Sequence, residues 1–71
     1  MIFYCQKGQS VFANNKCVTT RKNKQGMHEV ILVGINGGQL VLGEYSSVKR
    51  AREIVDEIRN SSADEYDMPK A

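Results

Sequence analysis

Cys5, Cys17 and His28 are the side chains in this sequence best suited to bind a soft metal or to form a thiol–imidazole pair. Structural zinc takes four ligands, usually in close pairs such as C-x2-C. Here eleven residues separate Cys5 from Cys17, ten separate Cys17 from His28, and the fourth ligand is missing. No metal site is expected. Cysteine catalysis would set a thiol against His28, yet a single histidine leaves no third group to orient it. Both cysteines are expected to be buried strand residues, the usual place for a free thiol. Asn36, Gly37 and Gly38 could suggest a phosphate cradle, but such loops run from a strand into a helix N-terminus. This one lies between two apolar runs and reads as a hairpin. Glu53, Asp56 and Glu57 alternate with Arg52 and Arg59, the pattern of a solvated helix face rather than of an acid/base pair in distinct environments. No catalytic residue and no cofactor is expected.

The remaining candidate chemistry is charge. Residues 1–28 contain Lys7, Lys16, Arg21, Lys22 and Lys24 without an acid, whereas the rest has five basic residues against eight acids. The halves are therefore +5 and −3, which sum to the chain's +2. Lys16, Arg21, Lys22 and Lys24 are candidate nucleic-acid contacts, touching phosphates from a hairpin tip with Tyr4 or Phe12 available to stack. Against this, edge lysines also discourage strand-to-strand aggregation, and a pI of 8.7 is short of a strongly basic footprint. Nucleic-acid binding is the secondary expectation.

Seventy-one residues allow one domain. A chain this short buries only about 60% of the surface exposed when unfolded, so a partner subunit, disulfide or metal commonly supplements the core. No apolar run approaches the ~20 residues of a membrane span. The start, MIFYCQKGQ, has no basic region ahead of its apolar residues and no small-residue cleavage site. A cytoplasmic chain with reduced thiols is expected.

These side chains are positioned by elements that the pattern predicts. Strands are expected over 2–5, 9–13 and 17–21, with Val11 and Ala13 on one face of the second and Phe12 on the other. Asn14 and Asn15 mark one turn, and residues 23–26 another. Residues 28–35 and 39–45 form an apolar hairpin across Asn36, Gly37 and Gly38, with a two-residue loop at either Asn36 and Gly37 or Gly37 and Gly38. Ser47, or alternatively Ser46, caps a helix carrying Val48, Ala51, Ile54, Val55 and Ile58 on one stripe. Asn60 ends it. The expected fold is α+β, an antiparallel meander of four to five strands with one C-terminal helix packed on one face. Residues 1–60 form the domain, and 61–71 are expected as a disordered acidic tail.

A two-residue loop would place Ile31, Val33, Ile35, Leu40 and Leu42 on one face of the hairpin. Val30, Leu32, Gly34, Val41, Gly43 and Tyr45 would lie on the other, the Gly34/Gly43 face, which would let a helix backbone come close and over which Tyr45 could fold. Both faces are apolar, which is unusual for an antiparallel hairpin. One helix covers one face. The five residues of the first face need another cover, either N-terminal strands curled into a half-barrel or a second subunit. The short chain favours a homodimer.

From LVGINGGQL through LGEYSS to the helix, the sequence resembles a group of small proteins of Gram-positive bacteria, often found in prophage regions and without an established activity. The resemblance rests on Leu42, Gly43 and Tyr45 before the helix, on Arg50, Ala51, Val55 and Ile58 within it, and on a short first strand like MIFYCQ. It departs at Lys49, where those helices tend to be acidic, and in the more polar and basic residues 12–24. The resemblance implies a structural motif and no catalytic residue. The expected function is a non-enzymatic module acting through protein–protein contact.

Overall fold

A computed structural model describes residues 1–34 and 36–70. In chain order the elements are β1 (Ile2–Tyr4), β2 (Ser10–Phe12), β3 (Val18–Lys22), β4 (His28–Val33), β5 (Gln39–Tyr45), α1 (Val48–Arg59) and β6 (Glu65–Asp67). The α+β class with a helix near the C-terminus is as expected. The strands divide into two three-stranded sheets, β2-β1-β6 and β3-β4-β5, so the meander is confined to the second.

The helix forms where its stripe and cap predict. Ser47 has extended backbone angles, and its Oγ accepts from the Arg50 N–H, which supplies a first-turn donor with a partner. Ala51, Ile54, Val55 and Ile58 are buried against the β3-β4-β5 sheet, whereas Val48 stays 40% exposed. At the other end, the Asn15 Nδ2 donates to the Ile58 carbonyl at 3.0 Å and the Lys16 Nζ to the Arg59 carbonyl at 2.9 Å. A cation there meets the negative end of the helix dipole. The 3₁₀ turn Asn15–Cys17 thus serves as the C-terminal cap of α1.

The hairpin register differs from expectation. Val33 pairs with Gln39, Leu32 with Leu40 and Ile31 with Val41, and a bulge then restores the pairing of Val30 with Gly43 and His28 with Tyr45. The Gly34 N–H donates to the Gly38 carbonyl, and the Gly37 N–H to the Gly34 carbonyl. Gly37 sits at φ 77°. This is a three-residue loop that ends on a left-handed glycine, the next most common hairpin solution after the two-residue turn. The extra loop residue moves Leu40 and Leu42 to the face of Leu32 and Val30, where Leu42 is 1% exposed. The bulge then returns Gly43 and Tyr45 to that same face, because a bulge sets two successive residues against one.

Residues 61–70 are not part of the disordered tail expected over 61–71. Glu65–Asp67 pairs parallel to β1, the Ile2 N–H donates to the Asp64 carbonyl and the Met68 N–H to the Tyr4 carbonyl. Met68 is 7% exposed and belongs to the core with Phe3, Cys5, Val18, Val30, Leu42, Tyr45 and the helix stripe. The acids face outward while Tyr66 and Met68 close the interior, an alternation that three residues of strand are enough to set.

Candidate functional site

Four groups of residues could form a site, and the fold treats each differently. The basic set is not gathered. Arg21 donates from Nε and Nη2 to Glu29 Oε1, at 2.9 and 2.6 Å, and from Nη1 to Gln39 Oε1. Glu29 is 7% exposed and lies opposite Glu44 across the β4–β5 ladder, and the Asn23 Nδ2 donates to both carboxylates. Two like charges side by side in a half-dry place need a cation, and Arg21 is that cation. Lys16 is bonded to the helix end. Lys22 and Lys24 remain exposed, and the Arg21–Glu29 contact is the one ion pair found among the described residues.

The hairpin set is also divided. Ile31 and Val33 share the face of Arg21, Glu29 and Gln39, whereas Leu40 and Leu42 lie on the core side. Ile35 lies outside the described residues. Ile31 is nevertheless only 2% exposed. Arg21 spans that face from β4 to β5, and long charged side chains cover apolar surface with their stems. The second apolar face thus has a cover within the chain.

Cys5 is buried as expected, and burial pushes its thiol pKa up. Cys17 is exposed at the end of the 3₁₀ turn, contrary to the buried strand position expected. It precedes β3, and turn geometry rather than alternation decides its environment. A thiol reagent at neutral pH should therefore modify one cysteine in the folded protein, with Cys17→Ser abolishing that signal and Cys5 reacting only after denaturant is added. Equal, immediate reaction of both thiols would contradict this placement. His28 is half-buried at the start of β4, and no group of three or more His, Cys, Asp or Glu side chains is placed to hold a metal among the described residues.

A groove of about 370 Å³ runs between the β1–β2 loop and β5, and a shallower one of about 410 Å³ lies beside Val11, Leu32 and Leu40. Neither is lined by a cysteine, serine or histidine among the described residues. The charged groups of the first groove include Glu29 and Glu44, already engaged by Arg21 and Asn23.

The surface that sequence reasoning did not single out is the outer face of the β2-β1-β6 sheet. Register places Ile2, Tyr4, Ser10 and Phe12 there together with Glu65 and Asp67. Phe12 is 78% exposed and Tyr4 38%. The Tyr4 hydroxyl donates to Glu65 Oε1 at 2.8 Å, and this bond to a carboxylate raises the phenol pKa. The opposite face supplies Phe3, Val11 and Tyr66 to the interior, where burial raises the Tyr66 pKa, helped by its 2.8 Å bond to Glu57. The alternation of Val11, Phe12 and Ala13 already put Phe12 on the outer side. What it could not say is that, among the described residues, Phe12 and Tyr4 on that side stay exposed.

No helix among the described residues is long and apolar enough to cross a membrane. Comparison with protein-family models, with curated proteins and with solved structures yields no match.

Proposed function

We propose that this chain is a small non-enzymatic module that works through protein–protein contact, self-associates as a homodimer, and uses the outer face of the β2-β1-β6 sheet to do so. The observation that carries the reading is Phe12, a large aromatic 78% exposed beside Tyr4 and Ile2. Apolar side chains clustered on an outer face mark contact surfaces more often than scattered single ones do, and aromatic residues are enriched at the centre of such contacts. Full burial of one such side chain is worth about 1.5–3 kcal/mol. The expected working surface therefore moves from the hairpin face of Ile31 and Val33, which Arg21 crosses, to the N-terminal strands.

The proposal includes a cytoplasmic location, supported by two unpaired thiols, and a phage origin, supported by the likeness of the hairpin, Leu-Gly-x-Tyr step and helix to small prophage-associated proteins. Nucleic-acid contact through Lys16, Arg21, Lys22 and Lys24 is the weaker reading, because Arg21 holds Glu29 and Lys16 caps the helix.

Sedimentation over a concentration series tests the main reading. The wild-type chain is expected to shift from monomer toward dimer, and Phe12→Ser to remain monomeric with an unchanged denaturation midpoint. A wild-type chain that stays monomeric throughout would overturn self-association.

A further inference from the structure

We infer that self-association includes an edge-to-edge contact, with the basic outer edge of β3 in one copy docking against the acidic outer edge of β6 in a second copy of this chain. The inference rests on the self-association reading and adds this edge contact to the face contact at Phe12.

The backbone bonds identify which edges are open. Asn23 bonds to Met27 across the β3–β4 turn. In an antiparallel ladder the bonded pairs alternate, so Arg21 and Thr19 face β4 and the backbone groups of Val18, Thr20 and Lys22 face outward; the Arg59 Nε donates to the Val18 carbonyl at 3.1 Å, which leaves the edge open at Thr20 and Lys22. Along β6, Asp64 and Met68 bond to β1, which leaves the N–H and C=O groups of Glu65 and Asp67 facing outward. The outer edge of β5 is closed at Leu42 and Glu44 by Gln6. Its backbone N–H donates to the Leu42 carbonyl and its Oε1 accepts from the Glu44 N–H at 2.7 Å. The outer edge of β2 is open but uncharged at Ser10 and Phe12.

An open strand edge is a template for another strand, and charge decides which strand it accepts. Lys22 stands on the β3 edge and Lys24 follows it in the turn, while Glu65 and Asp67 stand on the β6 edge. All four side chains are exposed, and none has an ion-pair partner among the described residues. Two lysines on one edge and two acids on the other thus match each other and repel themselves. Made reciprocally, the contact closes a two-fold dimer.

The test is a charge exchange followed by sedimentation at low and high salt. Glu65→Lys/Asp67→Lys and Lys22→Glu are each expected to weaken self-association by at least about tenfold, since each sets like charges on facing edges. Mixing the two variants is expected to restore association, because each then offers the edge that the other lacks. High salt should weaken the wild-type contact. Circular dichroism and denaturation midpoints equal to the wild type confirm that each variant is folded. Should one variant fail to fold, the other, read alone against wild type, still decides. Association unaffected by both exchanges, yet lost in Phe12→Ser, would overturn the edge contact and leave the broader reading standing. A monomeric wild type would overturn both.

Discussion

Removal of residues 61–71 is expected to abolish cooperative folding. Met68 is 7% exposed in the main cluster, and loss of a buried methionine side chain alone costs about 2–5 kcal/mol. The deletion also removes the strand that pairs with β1, the Tyr66 hydroxyl bond to Glu57, and the Pro69 carbonyl. That carbonyl accepts from the Tyr45 hydroxyl at 2.6 Å and from the Gln6 Nε2 at 2.9 Å. Tyr45 is 2% exposed, and its hydroxyl would lose this bond, a further ~0.5–1.5 kcal/mol. A domain of 71 residues has about 4–10 kcal/mol of total stability at ~0.05–0.15 kcal/mol per residue. The losses are of that size. Urea denaturation followed by circular dichroism should give a sigmoid for the full chain and a shallow drift for the shortened one. An unchanged midpoint would return these residues to the status of a tail.

The second large effect is expected at Gly43. A Cβ there would lie 2.8 Å from the Tyr45 hydroxyl, 3.1 Å from the Tyr45 ring and 3.1 Å from Gln6 Cδ. Neither neighbour can yield easily. The Tyr45 hydroxyl is held by Pro69, and Gln6 is bonded to Leu42, Glu44 and Pro69. Gly43→Ala should therefore cost about 2–3 kcal/mol, in the upper part of the range for overpacking. In a Tyr45→Phe background the closest of the three contacts is gone, so the same substitution should cost less. A double-mutant cycle by denaturation measures this difference. Full additivity would show that the hydroxyl does not set the limit at Gly43. The Leu-Gly-x-Tyr step is then explained by packing, since Tyr45 lies across a glycine that leaves it room.

The elements that local chemistry encodes were legible in residue types. Gln39 and Tyr45 bound β5 as the alternation implied, Ser47 caps α1, and the stripe from Ala51 to Ile58 is buried. Legibility failed where the deciding partner lies far along the chain or where one residue shifts a ladder. Asn36 and Gly37 announce a hairpin under either loop length, and only the observed bonds show that Gly37 closes a three-residue loop. Because strand faces alternate, that one residue reassigned Leu40 and Leu42, and the bulge kept Gly43 and Tyr45 on the face expected for them. Glu65 and Asp67 hide a strand because acids have low strand preference. Tyr66 and Met68 become interpretable only once β1 is known to lie beside them. The exposed face followed the same division. Phe12 could be read as outward-facing, whereas the openness of its sheet depends on an arrangement of six strands.

The parallel pairing of β1 with β6 has a consequence for biosynthesis. Phe3, wholly inaccessible to solvent in the finished fold, emerges from the ribosome long before Tyr66 and Met68 exist to shelter it. Contacts so distant along the chain are slow to form, and the first sheet cannot close until residues 64–68 have been made. The β3–β5 meander can mature during elongation, but the N-terminal strands must wait, with their apolar side chains available to holding chaperones in the interval.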